Sequence, residues 1–167
     1  MSKLPWENVP LNGAHLALHD KMSFERILVA TDFSDGSQQA LEYAIRIAEK
    51  FGSELTLVHS WDAPNYAYAT DLYLPTDMLV RIERAAVERL EQATTELKAR
   101  FPGAKSLLRS GSPWEQILGG ATDVKADLIV MGTHGRRGFE RALLGSVAEK
   151  VVRMSRVPVL TVHGAKE

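Results

Sequence analysis

The hydrophobic positions of this chain alternate between short continuous apolar runs and longer segments with a helical period. The apolar runs lie at residues 26–31, 54–60, 104–109, 127–131 and 157–162. Runs of this length, apolar on both faces, are typical of parallel strands covered by helices. The helical segments lie between them, at about residues 35–51, 76–100, 113–118 and 146–155. Because strands and helices alternate, the pattern predicts a parallel sheet with helices on both faces.

Residue types at the ends of these segments agree with the predicted helices. Ser34 or Asp35 is placed to cap the first helix, and Gly52 follows its last turn, where a left-handed residue is common. Ser112 and Pro113 open the third helix with a capping residue and a proline at the first helical position. The predicted apolar stripe of the first helix consists of Ala40, Tyr43, Ala44, Ile47, Ala48 and Phe51.

Domain organisation follows from where this periodicity begins. Residues 1–23 show no strong hydrophobic period and are interpreted as an N-terminal extension, whereas residues 24–165 form one predicted domain. Residues 61–75 form a loop whose Tyr66, Tyr68 and Tyr73 are interpreted either as a lid or partner surface or as ordinary loop packing. A length of 167 residues suits a single core.

Composition excludes several classes of function. A formal net charge of −1 gives no basic excess for nucleic acid, and the absence of cysteine excludes disulfides, thiolate catalysis and zinc–thiolate sites. The apolar runs are far shorter than the roughly 18 residues of a membrane span. The first residues also lack the apolar centre of a signal peptide. We therefore expect a cytoplasmic protein that binds neither nucleic acid nor a membrane.

A glycine-rich loop follows the fourth predicted strand. Gly132 and Gly135 come directly after the apolar run, and Gly145 and Ser146 open the last helix, giving the spacing Gly-x2-Gly-x9-Gly-Ser. Glycine lets a ligand approach the backbone closely, and the amides and dipole at a helix N-terminus attract anions. The spacing therefore predicts a phosphate-binding loop. The alternative for Ser146 is simple capping, because Ser146 and Glu149 have the spacing of a capping box.

Charged residues lie close to this predicted site. Asp32 follows the first strand, and sheets of this type bind ligands beyond the carboxyl ends of their strands, where the strand order reverses. Asp32 is interpreted as a ligand of a ribose hydroxyl or of bound magnesium, or alternatively as a helix cap or turn residue. Arg136 and Arg137 either neutralise phosphate charge or are solvated. His134 lies between two loop glycines, but the sequence identifies no partner that would make it a general base.

The remaining candidates point away from catalysis. His59 and His163 lie at strand ends and are interpreted as structural. No spacing of histidines and acids predicts a metal site, and no serine has the Gly-x-Ser-x-Gly context of a nucleophile elbow. No catalytic residue is therefore assigned.

The glycine motif, the segment 29–40 (VATDFSDGSQQA) and the segment 157–162 (VPVLTV) together closely resemble the universal stress protein family. The resemblance covers about residues 24–163. It implies an α/β fold: a single-domain three-layer sandwich whose five-stranded parallel sheet has helices on both faces, Rossmann-like and similar to adenine nucleotide alpha hydrolases. Members of that family with this glycine motif bind ATP, and the family commonly forms homodimers through the last strand.

The resemblance also implies site residues. Ala30, Thr31 and Asp32 would line the adenosine, and Val58 would contact the adenine from the second strand. The residues expected around the ribose and phosphates are Met131, Gly132, His134, Gly135, Arg136, Gly145, Ser146 and Val147. The implied cofactor is ATP with Mg²⁺. The chain departs from the family in its longer N-terminal extension and in the loop at 61–75.

Together these observations favour an ATP-binding regulatory stress protein that acts through a dimer, and not an efficient enzyme. One alternative is a slow ATPase, although no residue is identified that would position water or act as its base. Another is a nucleotidyl-transfer enzyme on the same fold, which would show a His-x-Gly-His motif where residues 32–35 read DFSD. An interaction protein without a ligand is the third.

Overall fold

The computed structural model describes residues 24–62, 76–133 and 144–164. Within these ranges, strands and helices alternate as the hydrophobic pattern predicts. The strands are β1 (Arg26–Ala30), β2 (Glu54–Trp61), β3 (Lys105–Ser110), β4 (Leu128–Gly132) and β5 (Val159–Val162). The helices are α1 (Asp35–Phe51), α2 (Thr76–Arg100), α3 (Pro113–Asp123) and α4 (Ser146–Met154). The N-terminal extension and the three loop tyrosines lie outside the described residues. None of the described helices is long and apolar enough to cross a membrane.

The five strands form one parallel sheet in the order β3-β2-β1-β4-β5. Val29 of β1 pairs with Leu57 of β2 on one side and with Val130 of β4 on the other. The chain builds outward from β1 to β3 and then crosses to β4, so the strand order reverses between β1 and β4. This arrangement confirms the predicted fold and places the ends of these two strands side by side.

The sheet separates two apolar layers, because successive side chains of a strand point to opposite faces. Val29 and Leu57 lie in the layer that contains Ala44 of α1 and Leu90 of α2. In the opposite layer, alternate strand residues pack with α3 and α4; its members include Leu28, Val58, Ile129, Ile117 and Val151. Strand β1 is buried from Ile27 to Ala30, as expected for a central strand covered on both faces.

Helix α1 confirms two sequence signals and corrects a third. The side chain of Ser34 accepts a hydrogen bond from the amide of Ser37, and Gly52 adopts a left-handed conformation with φ of 70°. The predicted apolar stripe is partly wrong, because Tyr43 is 52 % exposed whereas Ile45 is 3 % exposed. The buried face follows the small residues of the helix, which allow α1 to lie close to the sheet.

Helix α3 is longer than the sequence indicated. It continues through Gly119 and Gly120 to Asp123. A Cβ at Gly119 would lie 3.2 Å from Arg109 Nη2, and one at Gly120 would lie 3.2 Å from Leu107 Cδ2. The two glycines therefore let the side chains of β3 pass close to the helix. Tertiary packing overrides the low helix propensity of glycine at this point.

One predicted helix cap is confirmed in position only, and a second is wrong. Ser112 precedes α3, but its side chain makes no capping hydrogen bond. Gly145, and not Ser146, occupies the capping position of α4, and this helix also has no side-chain cap among the described residues. Ser146 is thus the first helical residue, and the capping box with Glu149 does not form.

Candidate functional site

Three backbone hydrogen bonds connect residues at the carboxyl ends of the strands with one another and with the start of α4. The amide of Thr31 donates to the carbonyl of Val58 at 2.9 Å, which joins the chain after β1 to β2. The amide of Thr133 donates to the carbonyl of Val162 at 2.9 Å, and the amide of Gly145 donates to the carbonyl of Thr133 at 2.7 Å. The predicted loop residues at the two ends of the glycine motif therefore meet at one edge of the sheet.

The side chain of Asp32 organises the turn between β1 and α1. Its Oδ1 atom accepts hydrogen bonds from the backbone amide of Ser34 at 3.1 Å and from Ser34 Oγ at 2.5 Å. Phe33 has a φ of 63°, and its amide donates to Thr31 Oγ1 at 3.0 Å. These bonds support the turn interpretation of Asp32. The two bonds occupy one of the two carboxylate oxygens, each of which has about two acceptor sites.

His59 supports the same turn from β2. Its Nδ1 atom lies 2.8 Å from the carbonyl oxygen of Thr31, which can only accept, so Nδ1 carries the hydrogen. The ring centroids of His59 and Phe33 lie 4.4 Å apart. The Arg89 guanidinium carbon lies 5.2 Å from the Phe33 ring centroid. His163 likewise contacts the site, with Nδ1 at 3.0 Å from Thr133 Oγ1. Both histidines thus hold structural contacts, in agreement with the interpretation from sequence.

A close backbone contact between β4 and α1 gives Gly132 a packing role. A Cβ at Gly132 would lie 3.0 Å from the carbonyl carbon of Gly36 and 3.2 Å from the amide nitrogen of Ser37. These distances are tighter than ordinary van der Waals contact, so a side chain at residue 132 would force the start of α1 or β4 to shift. Sequence reasoning missed Gly36. The sequence signal for Gly36 is a glycine in the first turn of a predicted helix, where most other residues would stabilise the helix more.

The start of α4 presents backbone amides without a side-chain cap. Gly145 has φ of −68° and ψ of 154°, a conformation that any residue adopts. The first intrahelical bond joins the amide of Glu149 to the carbonyl of Gly145 at 2.9 Å. The amides before it have no intrahelical acceptor, and the positive end of the helix dipole lies there. This end of the helix can therefore bind an anion, and Ser146 beside it is exposed.

Other predicted site residues differ in how much surface they offer. Ala30, Val58 and Met131 are 8 %, 1 % and 5 % exposed, so their side chains belong mainly to the core under the site. Val147 is half-buried at the start of α4. The predicted contact of Val58 with adenine stays a prediction. His134, Gly135 and Arg136, together with Arg137, lie outside the described residues.

The described side chains at this edge of the sheet fit a magnesium ion that is also held by phosphates, and they do not by themselves form a metal site. In residues 24–62, 76–133 and 144–164 there is no group of three or more His, Cys, Asp or Glu side chains that could hold a metal. Magnesium commonly keeps several waters and binds through one or two carboxylates together with substrate phosphates. Asp32 could supply that carboxylate beside a bound phosphate chain.

Comparison with known proteins identifies the family. The family model described as the universal stress protein family matches residues 23–163. The chain belongs to the universal stress protein family. A relative from Thermus aquaticus, a universal stress protein encoded in a sulfhydrylase 3′ region, is 38 % identical over 140 residues, covering 84 % of this chain and 99 % of the relative. A universal stress protein of Methanocaldococcus jannaschii is 33 % identical over 147 residues, covering 86 % and 85 %.

Solved structures agree with this assignment. A hypothetical protein used as a test case for assigning biochemical function from structure is 26 % identical, with a TM-score of 0.73, and the match covers 86 % of this chain and 99 % of that one. A universal stress protein in complex with cAMP is 29 % identical, with a TM-score of 0.55 and coverage of 86 % and 99 %. One from Archaeoglobus fulgidus in complex with dAMP is 25 % identical, with a TM-score of 0.56 and coverage of 84 % and 99 %.

Proposed function

We propose that this universal stress protein binds ATP with Mg²⁺ at the carboxyl edge of β1 and β4 and acts as a nucleotide-dependent regulatory protein. The observation that carries the proposal is the hydrogen bond from the Gly145 amide to the Thr133 carbonyl. It holds the uncapped start of α4 at the end of β4, next to the strand that leads to Asp32. The cAMP and dAMP complexes of related proteins support adenine nucleotides as the ligand class.

In the proposed binding mode, the adenosine and the phosphates occupy different parts of this edge of the sheet. Ala30, Thr31, Asp32 and Val58 form the adenosine side, where Asp32 accepts a hydrogen bond from a ribose hydroxyl or contacts Mg²⁺. The phosphates lie against the glycine loop and the amides at the start of α4. Met131 and Gly132 form the floor between the two parts, and His134, Gly135, Arg136, Ser146 and Val147 complete the phosphate side.

Regulation is proposed to act through a homodimer. Strand β5 is an edge strand of the described sheet, and it is short and apolar. An edge of this kind offers unpaired backbone groups to a second copy. Since Thr133 bonds to Val162 of β5, the nucleotide site and the proposed interface are joined by one hydrogen bond. Nucleotide binding regulates the dimer only if the two states differ in affinity. A cytoplasmic location is part of the same proposal.

The test is to identify any nucleotide that copurifies with the protein and to titrate ATP with magnesium by calorimetry. We expect stoichiometric adenine nucleotide in the purified protein or saturable binding of added ATP. An empty protein that gives no heat of binding, with native circular dichroism, would overturn the proposal. Phosphate release measured on the same samples distinguishes a binding protein from a slow ATPase.

A further inference from the structure

A cavity of about 380 Å³ lies at the amino edge of the sheet, opposite the proposed nucleotide site. It is formed between the C-terminal ends of α3 and α4 and the chain that leads into β4 and β5. Its walls are mainly apolar and include Leu118, Ala121, Ile129 and Met154. Small-molecule sites have volumes of roughly 300–1,000 Å³ and mostly apolar walls with a few polar groups. The size and lining of this cavity therefore suit a small ligand.

Two cations lie in the lining of this cavity. Lys125 and Arg156 are both exposed, and neither forms an ion pair within 4.0 Å in the part of the chain that the structure describes. The neighbouring acids are engaged elsewhere. Asp123 accepts a hydrogen bond from Arg109 Nη1 at 2.5 Å, and Asp127 accepts one from the amide of Glu25 at 2.8 Å. The positive charges of Lys125 and Arg156 thus border the apolar walls, and neither is paired with these acids.

The backbone of Lys125 adds a separate observation. Lys125 has a left-handed φ of 52°, fixed by the bond from its amide to the Thr122 carbonyl at 3.1 Å and by Arg26 Nε donating to its carbonyl at 2.7 Å. After α1 the corresponding left-handed position is occupied by Gly52, the residue type that adopts this conformation without strain. Lysine is less stable than glycine in this conformation, because its Cβ crowds the backbone.

We propose that this cavity binds a small amphipathic carboxylate. The aliphatic chain of the ligand packs against the apolar walls, where it covers Met154, whose side chain is unbranched and adapts to the shape of a ligand. The carboxylate binds to Lys125 and Arg156 through charge-assisted hydrogen bonds. The cavity and the nucleotide site lie at opposite edges of the sheet, so this proposal does not depend on ATP binding.

Decanoate is the probe, used below its micelle concentration, with decanol as the uncharged analogue of the same chain length. Calorimetric titration should show saturable binding of one decanoate per chain, and decanol should bind at least about tenfold more weakly because it cannot pair with the cations. Chemical-shift changes in the amide spectrum should centre on residues 118–126 and 154–157.

Three variants distinguish the loss of ligand binding from the loss of the folded structure. Lys125→Gly removes the cation and also relieves the left-handed strain, so decanoate should bind about tenfold more weakly while Tm stays the same or rises. Arg156→Gln should weaken binding to a similar extent. Lys98→Gln, which changes an exposed lysine of α2, is the matched control and should bind as the parent protein does.

Three results would overturn the proposal: no saturable binding of decanoate, equal affinity for decanol, or unchanged affinity in Lys125→Gly. Binding of an acidic, leucine-containing peptide by a protein that does not bind decanoate would also overturn it and would assign the cavity to a protein partner.

Discussion

Gly145 donates its backbone N–H to the carbonyl oxygen of Thr133 at 2.7 Å, so the start of α4 is tied directly to the end of β4. The bond joins the residue after Gly132 to Gly145, the last glycine of the motif, without using any side chain. It follows that a backbone contact fixes where α4 begins relative to β4.

The substitution Gly145→Val tests this relationship. Since residue 145 has a φ of −68° and ψ of 154°, valine can adopt its backbone conformation, and the protein should remain folded. The added side chain should block phosphate from the amides and reduce ATP affinity by about a hundredfold or more, equivalent to roughly 2.7 kcal/mol. Calorimetry with ATP and Mg²⁺ measures the effect. The matched control is Gly103→Val, in a turn near the opposite edge of the sheet. If Gly145→Val and Gly103→Val bind ATP with equal affinity, the phosphate-loop assignment is refuted.

The substitution Asp32→Ala separates the two roles of this carboxylate. Loss of its two hydrogen bonds to Ser34 should lower the free energy of unfolding by about 1 kcal/mol. If Asp32 also binds ribose or magnesium, ATP affinity should fall at least about tenfold in protein that is still folded. Asp35→Ala, an exposed acid in the first turn of α1, provides the control. If the free energy of unfolding falls and the ATP affinity does not change, Asp32 is only a turn residue.

Packing between Gly132 and Gly36 is tested by Gly132→Ala. The new Cβ would lie 3.0 Å from the Gly36 carbonyl carbon, so α1 or β4 must shift, at a cost of roughly 1–3 kcal/mol. Urea denaturation gives the change in free energy. Gly164→Ala is the matched control, because its Cβ would lie 3.6 Å from Gly36 Cα, which is ordinary contact. Equal stability of the two variants would show that the close approach is not required.

The proposed dimer is tested on β5. Val159→Lys or Thr161→Lys places a charge on the edge strand and should favour monomers, because a charge opposite its symmetric copy is repulsive and costly to bury. Sedimentation velocity over a range of concentrations measures the assembly. Val80→Lys, at a residue of α2 that is 56 % exposed, should leave it unchanged. If the β5 variants sediment as the parent protein does, the edge-strand dimer is rejected.

The ion pair between Glu42 of α1 and Arg100 of α2 predicts a pH effect. Arg100 Nη2 donates to Glu42 Oε2 at 2.7 Å, and Nη1 donates to Oε1. Hydrogen bonding to Arg100 is the main cause of the lowered pKa of Glu42. A lowered folded-state pKa means that this contribution to stability is present above the ordinary pKa of 4.5 and is lost as the pH falls through the folded value.

The substitution Arg100→Met should therefore raise the pKa of Glu42 toward its ordinary value. Carboxyl carbon shifts followed by NMR between pH 2 and 7 would measure it directly, with Lys98→Met as a control of the same helix. A Glu42 titration curve that does not change would mean that the pair is not formed in solution.

The sequence alone was sufficient for elements whose signals are local. The helix predicted at residues 76–100 has those same bounds in the structure, because its periodic apolar face and Pro102-Gly103 mark them within the segment itself. Caps were less predictable. Ser34 caps α1, whereas Ser146 is the first residue of α4 and Gly145, whose amide donates to the Thr133 carbonyl, occupies the capping position.

The sequence by itself determined the alternation of strands and helices, the burial of β1 and the position of the glycine motif after β4, since each depends on hydrophobic period and on residues close together in the chain. Only the tertiary structure decided that β1 lies between β2 and β4, that Gly132 faces Gly36, and that Lys125 lies at a cavity. These relationships join residues far apart in the chain, and they depend on which surfaces pack together once the helices cover the sheet.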